Sequence, residues 1–216
     1  MADFRNIETV EYGIAKAKKI SLSSVKSAPD RLGIFERFIA FDVETTGTEP
    51  DKDRIIEIGA VLFEGGKPAG EFQSLVQPGI VIPEKVSAVT HITAEMLANA
   101  PALATILPDL EVFLSDAICG KTLICGHVAA FDMSFLCHAL NDLGIDADLR
   151  FVDTRDVALS IPELKSHSLT AVAEHYGIAN EKTHRAKSDA MVSGQVLLKY
   201  FSILGEITQA HLFCPI

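Results

Sequence analysis

The sequence has few cysteines, and none of the four stands in a Cys-x-x-Cys pair. The missing pairs argue against a zinc ribbon and against a disulfide framework. Cys119, Cys125, Cys137 and Cys214 are therefore expected to be buried or idle thiols in a reducing compartment.

Positive charge is also scarce, since 19 Lys and Arg stand against 29 Asp and Glu, a formal net charge of −10. This deficit argues against a protein that holds nucleic acid by bulk electrostatics, because nonspecific binding neutralises phosphates with Lys and Arg. It leaves open an enzyme that grips only a strand end through bound metal ions.

Long apolar runs are absent, and none approaches the roughly 20 residues of a membrane span. The first residues, MADFRNIETVEYG, lack the basic start and apolar stretch of a secretory signal. We therefore expect a cytoplasmic protein with no membrane partner.

The chain of 216 residues suits one domain with an extension. Residues 1–36 form the extension, in which the stretch from Phe4 to Ile20 is predicted to be a helix. Residues 37–205 form the main domain, and residues 206–216 form a tail.

The main domain starts with three predicted strands joined by short links, which favour antiparallel neighbours. Strand and helix spacing alternate after them, and this indicates an α/β domain with a mixed sheet. The predicted strands are RFIAFDVE, RIIEIGAVLFEGG, EFQSLVQP, TLICGH and residues 150–152, and the predicted helices are residues 95–98, 102–114, 130–143, 154–160, 169–176 and 188–204.

Two carboxylates, Asp42 and Glu44, end the first predicted strand. They share one face, and both faces are apolar before Asp42, so the strand should lie inside the sheet. A lone acid at a strand end is commonly a turn or cap residue. Two unpaired carboxylates in a buried strand are costly, and a divalent cation would relieve that cost.

A third acid, Asp132, falls in the first turn of the helix predicted from Ala130. Acids are common there because the helix dipole favours them by about 0.3 to 1 kcal/mol. That explanation suits an outward carboxylate, whereas Asp132 lies on the apolar stripe continued by Leu136 and Leu140.

His184 and Asp189 would stand roughly 140° apart if both were helical. They can share a site only if His184 lies on the preceding loop and Asp189 in the first turns. A surface loop histidine is the alternative for His184. Magnesium-like ions prefer oxygen ligands, and a nearby imidazole can take a proton from an attacking water.

Three motifs occur in the order found in the DnaQ-like DEDDh family of 3′-to-5′ exonucleases: Asp42-x-Glu44, His127-x-x-x-Phe131-Asp132 and His184-x-x-x-x-Asp189. The resemblance covers about residues 37–200, and it extends to the intervening DRIIEIGAV, VTHITAEML, FVDT and SLTAVAEHYGI. The Thr-Thr-Gly after Glu44 is similar to the family's epsilon proofreading subunits of bacterial DNA polymerase III.

The resemblance implies a ribonuclease H-like fold, with a mixed five-stranded sheet flanked by helices. It also implies two divalent metal ions, Mg²⁺ or Mn²⁺. Asp42 would bridge both ions, Glu44 and Asp189 would complete the ligands of one, and Asp132 would serve the other. His184 would be the general base.

By the same resemblance, the backbone at Thr45 would meet the terminal 3′-hydroxyl, and His127 and Phe131 would line the pocket for the last nucleotide. The chain departs from the family at Val128, where Asn is usual, and at His91, where Gly is usual. Lys187 also replaces a usual apolar residue, and with Arg185 it is a candidate phosphate contact.

The leading hypothesis is a metal-dependent exonuclease acting on single-stranded or frayed DNA 3′ ends in proofreading or repair, alone or as a DNA polymerase subunit. The alternatives are the same chemistry on short RNA, and a nuclease-fold adaptor that has lost catalysis. The tail Gln209–Phe213, QAHLF, resembles peptides that dock on a sliding clamp; packing on its own domain is the alternative.

Overall fold

The computed structural model describes residues 3–22, 36–180 and 183–212, with side chains up to Ile203 in the last range. Its strands form a seven-stranded mixed sheet in the order β1-β2-β7-β6-β3-β4-β5. The strands are β1 Thr9–Tyr12, β2 Ala15–Lys19, β3 Arg37–Thr45, β4 Ile55–Glu64, β5 Lys67–Leu75, β6 Leu123–Gly126 and β7 Ala147–Asp153. The helices are α1 Glu84–Thr90, α2 Ala94–Ala98, α3 Leu103–Ile118, α4 Ala130–Asp142, α5 Thr154–Leu159, α6 Leu169–His175 and α7 Ala186–Leu212.

Strand β3 lies inside the sheet, between β4 and β6. It pairs antiparallel with β4, which pairs antiparallel with β5, so the antiparallel start predicted for the domain is confirmed. On its other side β3 pairs in parallel with β6, and β6 pairs in parallel with β7. An interior position suits β3 because Phe38 and Phe41, on its opposite faces, are both fully buried.

Helices cover both faces of the sheet and form two apolar layers. Phe41 packs in one layer, with Leu110 of α3 and Met133 of α4. Phe38 packs in the other, with residues of α5, α6 and α7 such as Val196. This sheet with helices on both faces confirms the predicted α/β class.

The helix predicted for Phe4 to Ile20 is wrong. This segment forms a 3-10 helix at Phe4–Asn6 and the antiparallel hairpin β1–β2, which turns at Gly13 with φ 55°. Strand β2 adds in parallel to β7, and Ala15 and Ala17 are buried in alternation. The predicted five strands therefore become seven, because the hairpin pairs with backbone groups that β7 would otherwise leave unpaired.

Other differences are small. Helix α1 was not predicted, and α7 begins at Ala186 and extends to Leu212. Cys125 and Cys137 are buried, as expected, whereas Cys119 is exposed. Among the residues that the structure describes, none of the helices combines the length and the apolar character needed to span a bilayer.

Candidate active site

A cleft of about 550 Å³ opens at the carboxyl end of β3. All five residues predicted to be catalytic line it, together with His127 and Phe131, which were predicted to bind the nucleotide. Thr45, the last residue of β3, is 9 % exposed and lies beside this set. The lining residues are Asp3, Phe4, Arg5, Asp42, Val43, Glu44, His127, Val128, Phe131, Asp132, His184 and Asp189.

Asp132 reaches the cleft from the first turn of α4, and it is 2 % exposed. Its Oδ1 accepts a hydrogen bond from the backbone N–H of Val43 at 3.1 Å. The carboxylate therefore faces the core, as its place on the apolar stripe predicted, and this bond holds the start of α4 against β3.

His184 and Asp189 have the layout that the sequence required. His184 lies on the turn before α7, and Asp189 lies in the first turn of that helix. The backbone N–H of His184 donates to Asp189 Oδ2 at 2.8 Å, and Asn180 Nδ2 donates to Asp189 Oδ1 at 3.1 Å. The side chain of His184 is exposed, so its ring can meet solvent or substrate.

The four carboxyl groups crowd one another in a partly dry site. Burial, and then the charges of Asp132 and Glu44, raise the pKa of Asp42 well above its usual value. Burial, and then the charge of Asp189, raise the pKa of Glu44 to about 8. Burial likewise raises the pKa of Asp132 and that of Asp189 despite the hydrogen bonds that each accepts.

This donor set fits a divalent cation. Glu44, His184 and Asp189 each offer one ligand atom, and these atoms lie within 4.8 Å of one another. Neighbouring carboxylates repel one another when they are ionised. A hard divalent cation bound between them stabilises the ionised forms. The chemistry of the site therefore agrees with the divalent-metal dependence implied by the resemblance.

His127 is held by the protein at both ring nitrogens. Its Nδ1 lies 3.0 Å from Thr154 Oγ1, and its Nε2 lies 3.0 Å from the carbonyl oxygen of His167. Burial lowers the pKa of His127 to about 4, so the ring is neutral near pH 7. A neutral ring can donate from Nε2 to the His167 carbonyl. The single hydroxyl hydrogen of Thr154 is then shared between His127 Nδ1 and the Gly126 carbonyl, which lies 3.1 Å from Thr154 Oγ1. These contacts make His127 a fixed wall of the cleft.

Glu57 of β4 is a site residue that the sequence analysis missed. It is fully buried, and its carboxylate accepts hydrogen bonds from Arg185 Nε at 3.0 Å and Arg185 Nη2 at 2.8 Å. The Ala186 N–H and Gln73 Nε2 also donate to it, at 3.1 and 2.9 Å. Glu57 thus holds the start of α7, and with it His184. The signal in the sequence was a lone charge inside the apolar run RIIEIGAV.

Arg185 and Lys187, the candidate phosphate contacts, each pair with a carboxylate in the free protein. The Arg185 guanidinium is bound to Glu57, and Lys187 Nζ lies 3.1 Å from Glu71. A phosphate contact at these residues stays a prediction. The backbone at Lys187 passes so close to β4 that a Cβ on Gly59 would lie 2.1 Å from its nitrogen. A glycine at position 59 lets α7 approach the sheet and bring Asp189 to the cleft.

In the described part of the chain, three residues other than glycine have left-handed backbone: His91 with φ 57°, Val128 with φ 62° and His184 with φ 60°. Two of the departures from the family, His91 and Val128, fall at such positions, where the usual Gly and Asn are tolerated. The β-branched Val128 is strained there. Its N–H donates to Asp153 Oδ1 at 2.8 Å, and Asp153, a further missed residue, also caps α5.

The fold matches that of known nucleases. The nuclease domain of 3′hExo, described as a DEDDh family member, superimposes with a TM-score of 0.61 at 18 % identity, over 78 % of this chain and 92 % of that one. The architecture is therefore the ribonuclease H-like fold, as predicted.

Sequence comparison gives the family. Residues 39–197 match the RNase_T family, described as Exonuclease. The PolC-type DNA polymerase III of Thermotoga maritima is 39 % identical over 79 % of this chain, but the chain spans only 12 % of that protein. The DNA polymerase III epsilon subunit of Aquifex aeolicus is 31 % identical over 81 % of this chain and 88 % of its own length. The chain belongs to the RNase_T exonuclease family.

Proposed function

We propose that this chain is a metal-dependent 3′-to-5′ exonuclease that releases nucleoside monophosphates from DNA 3′ ends. The observation that carries the proposal is the meeting of Asp42, Glu44, Asp132 and Asp189 with an exposed His184 in one cleft. These carboxylates come from three separate segments, which a purely structural role would not require. The same five residues, in the same order, form the motifs of the exonuclease family.

Two divalent ions, Mg²⁺ or Mn²⁺, would be held by the four carboxylates. When bound, such a pair stabilises the attacking and leaving oxygens of an in-line displacement at phosphorus. Glu44 and Asp189 would serve one ion together, with Asp42 shared between the two and Asp132 on the other. Asp132 keeps one oxygen for the N–H of Val43, so it would bind through its second oxygen or through water.

His184 would take the proton from the attacking water. The hydrogen bond from its backbone to Asp189 fixes the turn, while the exposed ring remains able to reach the water. Phe131 and the neutral ring of His127 would bound the terminal nucleotide, and the backbone at Thr45 would meet its 3′-hydroxyl. A His127 that stays neutral adds no charge to the nucleotide pocket.

The named relatives favour DNA as the polymer and proofreading as the setting, because they are DNA polymerase III proteins. We therefore place the chain's work at DNA 3′ ends in the cytoplasm, in contact with a polymerase. Single-stranded or frayed ends are the expected substrate, since the acidic chain offers little charge for gripping a duplex along its length.

Digestion of 5′-labelled single-stranded DNA and RNA of equal sequence tests the proposal. The reactions contain Mg²⁺, Mn²⁺ or EDTA, beside the Asp42→Ala variant. We expect a DNA ladder that shortens from the 3′ end, needs metal, and falls by roughly a thousandfold or more in the variant, since several kcal/mol of transition-state stabilisation is removed.

Each other result has a definite meaning. Faster digestion of RNA would replace the DNA assignment with RNA trimming. If folded protein gave no ladder on either polymer, the exonuclease assignment would be overturned and the non-catalytic adaptor would be favoured. Full activity of Asp42→Ala would exclude this cleft as the catalytic site.

The role of His184 has its own test. His184→Ala is expected to lower kcat by roughly 10²- to 10⁴-fold. Binding of Mn²⁺, followed by calorimetry, should change little in this variant, because the proposal gives the ions to the four carboxylates; a large loss would make His184 a metal ligand, as its place beside Glu44 and Asp189 also allows. A variant that retains the wild-type pH–rate profile would exclude His184 as the base.

Docking on a sliding clamp through Gln209–Phe213 stays a proposal from the sequence. The described part of the chain includes the helical backbone to Leu212, whereas Phe213 lies outside the described residues. Deleting residues 209–216 should weaken capture of a bacterial sliding clamp without slowing digestion of a short oligonucleotide. Equal capture by the deleted and full chains would dispose of this partner.

A further inference from the structure

The cleft has a wall that the family match does not include. Asp3, Phe4 and Arg5 line it, although the match begins at residue 39. The ring of Phe4 packs edge-on against Phe131, with ring centroids 5.3 Å apart and planes at 87°. An aromatic and a guanidinium thus stand at a cleft whose floor is made of carboxylates.

This wall is anchored to the domain. Strand β2 pairs in parallel with β7 from Ala15 to Lys19, and Lys19 Nζ lies 2.8 Å from Asp156 Oδ1. The N–H of Ile14 donates to Asn141 Oδ1 of α4 at 3.2 Å. The hairpin therefore fixes Phe4 relative to the helix that carries Phe131.

Arg5 is placed at the rim. Its side chain is 58 % exposed, and its Nε and Nη2 bind Asp3 at 2.6 and 2.7 Å. A guanidinium has five N–H donors, so Arg5 can bind a phosphate with the others while it keeps Asp3. Among the described residues that line the cleft, Arg5 is the only Lys or Arg.

We propose that Phe4 and Arg5 form a subsite for the nucleotide that precedes the one being removed. Phe4 stacks on its base, and Arg5 pairs with its phosphate. The scissile phosphate belongs at the carboxylates on the cleft floor, so an exposed cation at the rim meets the strand where it leaves the cleft. Phe131 bounds the terminal nucleotide, and Phe4, its neighbour, bounds the next one. The inference rests on the proposed function.

Two substrates separate this subsite from the catalytic one. The first is a single-stranded DNA oligonucleotide, and the second is the p-nitrophenyl ester of thymidine 5′-monophosphate, which has no preceding nucleotide. Base stacking on an aromatic side chain predicts that Phe4→Ala raises KM for the oligonucleotide by roughly 5- to 20-fold and leaves kcat unchanged. Hydrolysis of the ester should keep both constants.

Conservative variants guard against misfolding. Phe4→Leu retains an apolar contact with Phe131 and should lose affinity as Phe4→Ala does, whereas Phe4→Tyr should restore it. Arg5→Ala should raise KM for the oligonucleotide and reduce the slope of log KM against log salt by about 0.7, the value for one single-strand phosphate contact. Arg5→Lys should keep that slope, and Arg150→Ala, at an exposed position on β7, is the charge-matched control.

Three outcomes would overturn the subsite. If Phe4→Ala impaired hydrolysis of both substrates alike, the role of Phe4 would be only to support Phe131. If both substrates were unaffected, the wall would not touch the strand. If Arg150→Ala changed the salt slope as Arg5→Ala does, the effect would be one of net charge. A wild-type protein that cleaves neither substrate would instead refute the proposed function, and this inference with it.

Discussion

Glu44 and Glu57 lie opposite each other in the β3–β4 register, yet the protein treats the two carboxylates in opposite ways. Burial raises the pKa of Glu44 to about 8, with Asp189 as its main repulsive neighbour. Burial also opposes ionisation of Glu57, but hydrogen bonds from Arg185, Gln73 and the Ala186 N–H outweigh it and lower the pKa of Glu57.

The two acids therefore have different roles. Glu57 supports the segment that carries His184, whereas Glu44 lines the cleft itself. Glu57 has its cation within the chain, so it can be ionised and stabilise the start of α7. Glu44 and Asp42 are instead repelled by neighbouring acids, and the proposed divalent ions would relieve that repulsion. Cross-strand neighbours can therefore have opposite effects on stability, and the position of Arg185 decides which is which.

Removing the guanidinium of Arg185 should make Glu57 a buried carboxyl group with a raised pKa, as Glu44 is. Arg185→Ala is expected to lower the free energy of unfolding by about 3 kcal/mol, because it leaves a fully buried carboxylate unpaired. The loss should be measured by urea denaturation, and digestion should slow as well because His184 loses its support.

Lys187→Ala is the matched control for Arg185→Ala, since it removes a neighbouring cation whose pair with Glu71 is exposed. It should cost between 0 and about 1 kcal/mol. Similar losses in the two variants would mean that the buried pair has no special weight.

Removing an acid from the cleft should instead increase the free energy of unfolding. Asp42→Asn is expected to raise the stability of the metal-free protein by about 2 kcal/mol at pH 8, because it removes a carboxyl group whose ionisation is opposed by burial and then by the charges of Asp132 and Glu44. Thermal melting in EDTA would measure the gain, and the gain should shrink or reverse when Mn²⁺ is added. A variant less stable than wild type in EDTA would contradict this account of the cleft.

The pH dependence of stability follows from burial of Glu44 and, after it, from the same repulsion. The folded pKa of Glu44 is raised from the ordinary 4.5 to about 8. The folded state then binds more protons than the unfolded chain between these values, so the contribution of Glu44 to stability is lost as pH rises from about 4.5 to about 8. Asp189→Asn should reduce this loss in EDTA, because Asp189 is, after burial, the main cause of the raised pKa of Glu44.

The smallest expected effect concerns the backbone beside the cleft. Val128→Asn should stabilise the protein by about 1 kcal/mol, because Asn tolerates the left-handed conformation better than a β-branched residue does. Val81→Asn makes the same chemical change at a side chain that is 91 % exposed, and it should be neutral in the same melting assay. Equal shifts would show that strain at Val128 is not the cause.

Much of the site could be predicted because its rules are local. Alternation along β3 put Asp42 and Glu44 on one face, and the spacing of His184 and Asp189 required a loop before a helix. The apolar stripe of α4 predicted that Asp132 faces inward. Each inference used neighbours within a few residues.

The remainder depended on distant partners. Glu57 binds Arg185 across 128 positions, and no local pattern joins them. Ile7, Val10, Ile14 and Ala17 have helical spacing, but the open edge of β7 supplied backbone partners that outweighed this preference. The strain at Val128 was invisible as well, because it arises where the chain turns from β6 into α4.

Helix α7 has 27 residues, so it is a rod of about 40 Å. Asp189 lies near one end of this rod, and Leu212 is its last residue. A protein bound at that far end would be held a fixed distance from the carboxylates, comparable to the rise of about ten base pairs along a DNA strand. The length of α7 would then set the distance over which a strand end passes between such a partner and the cleft.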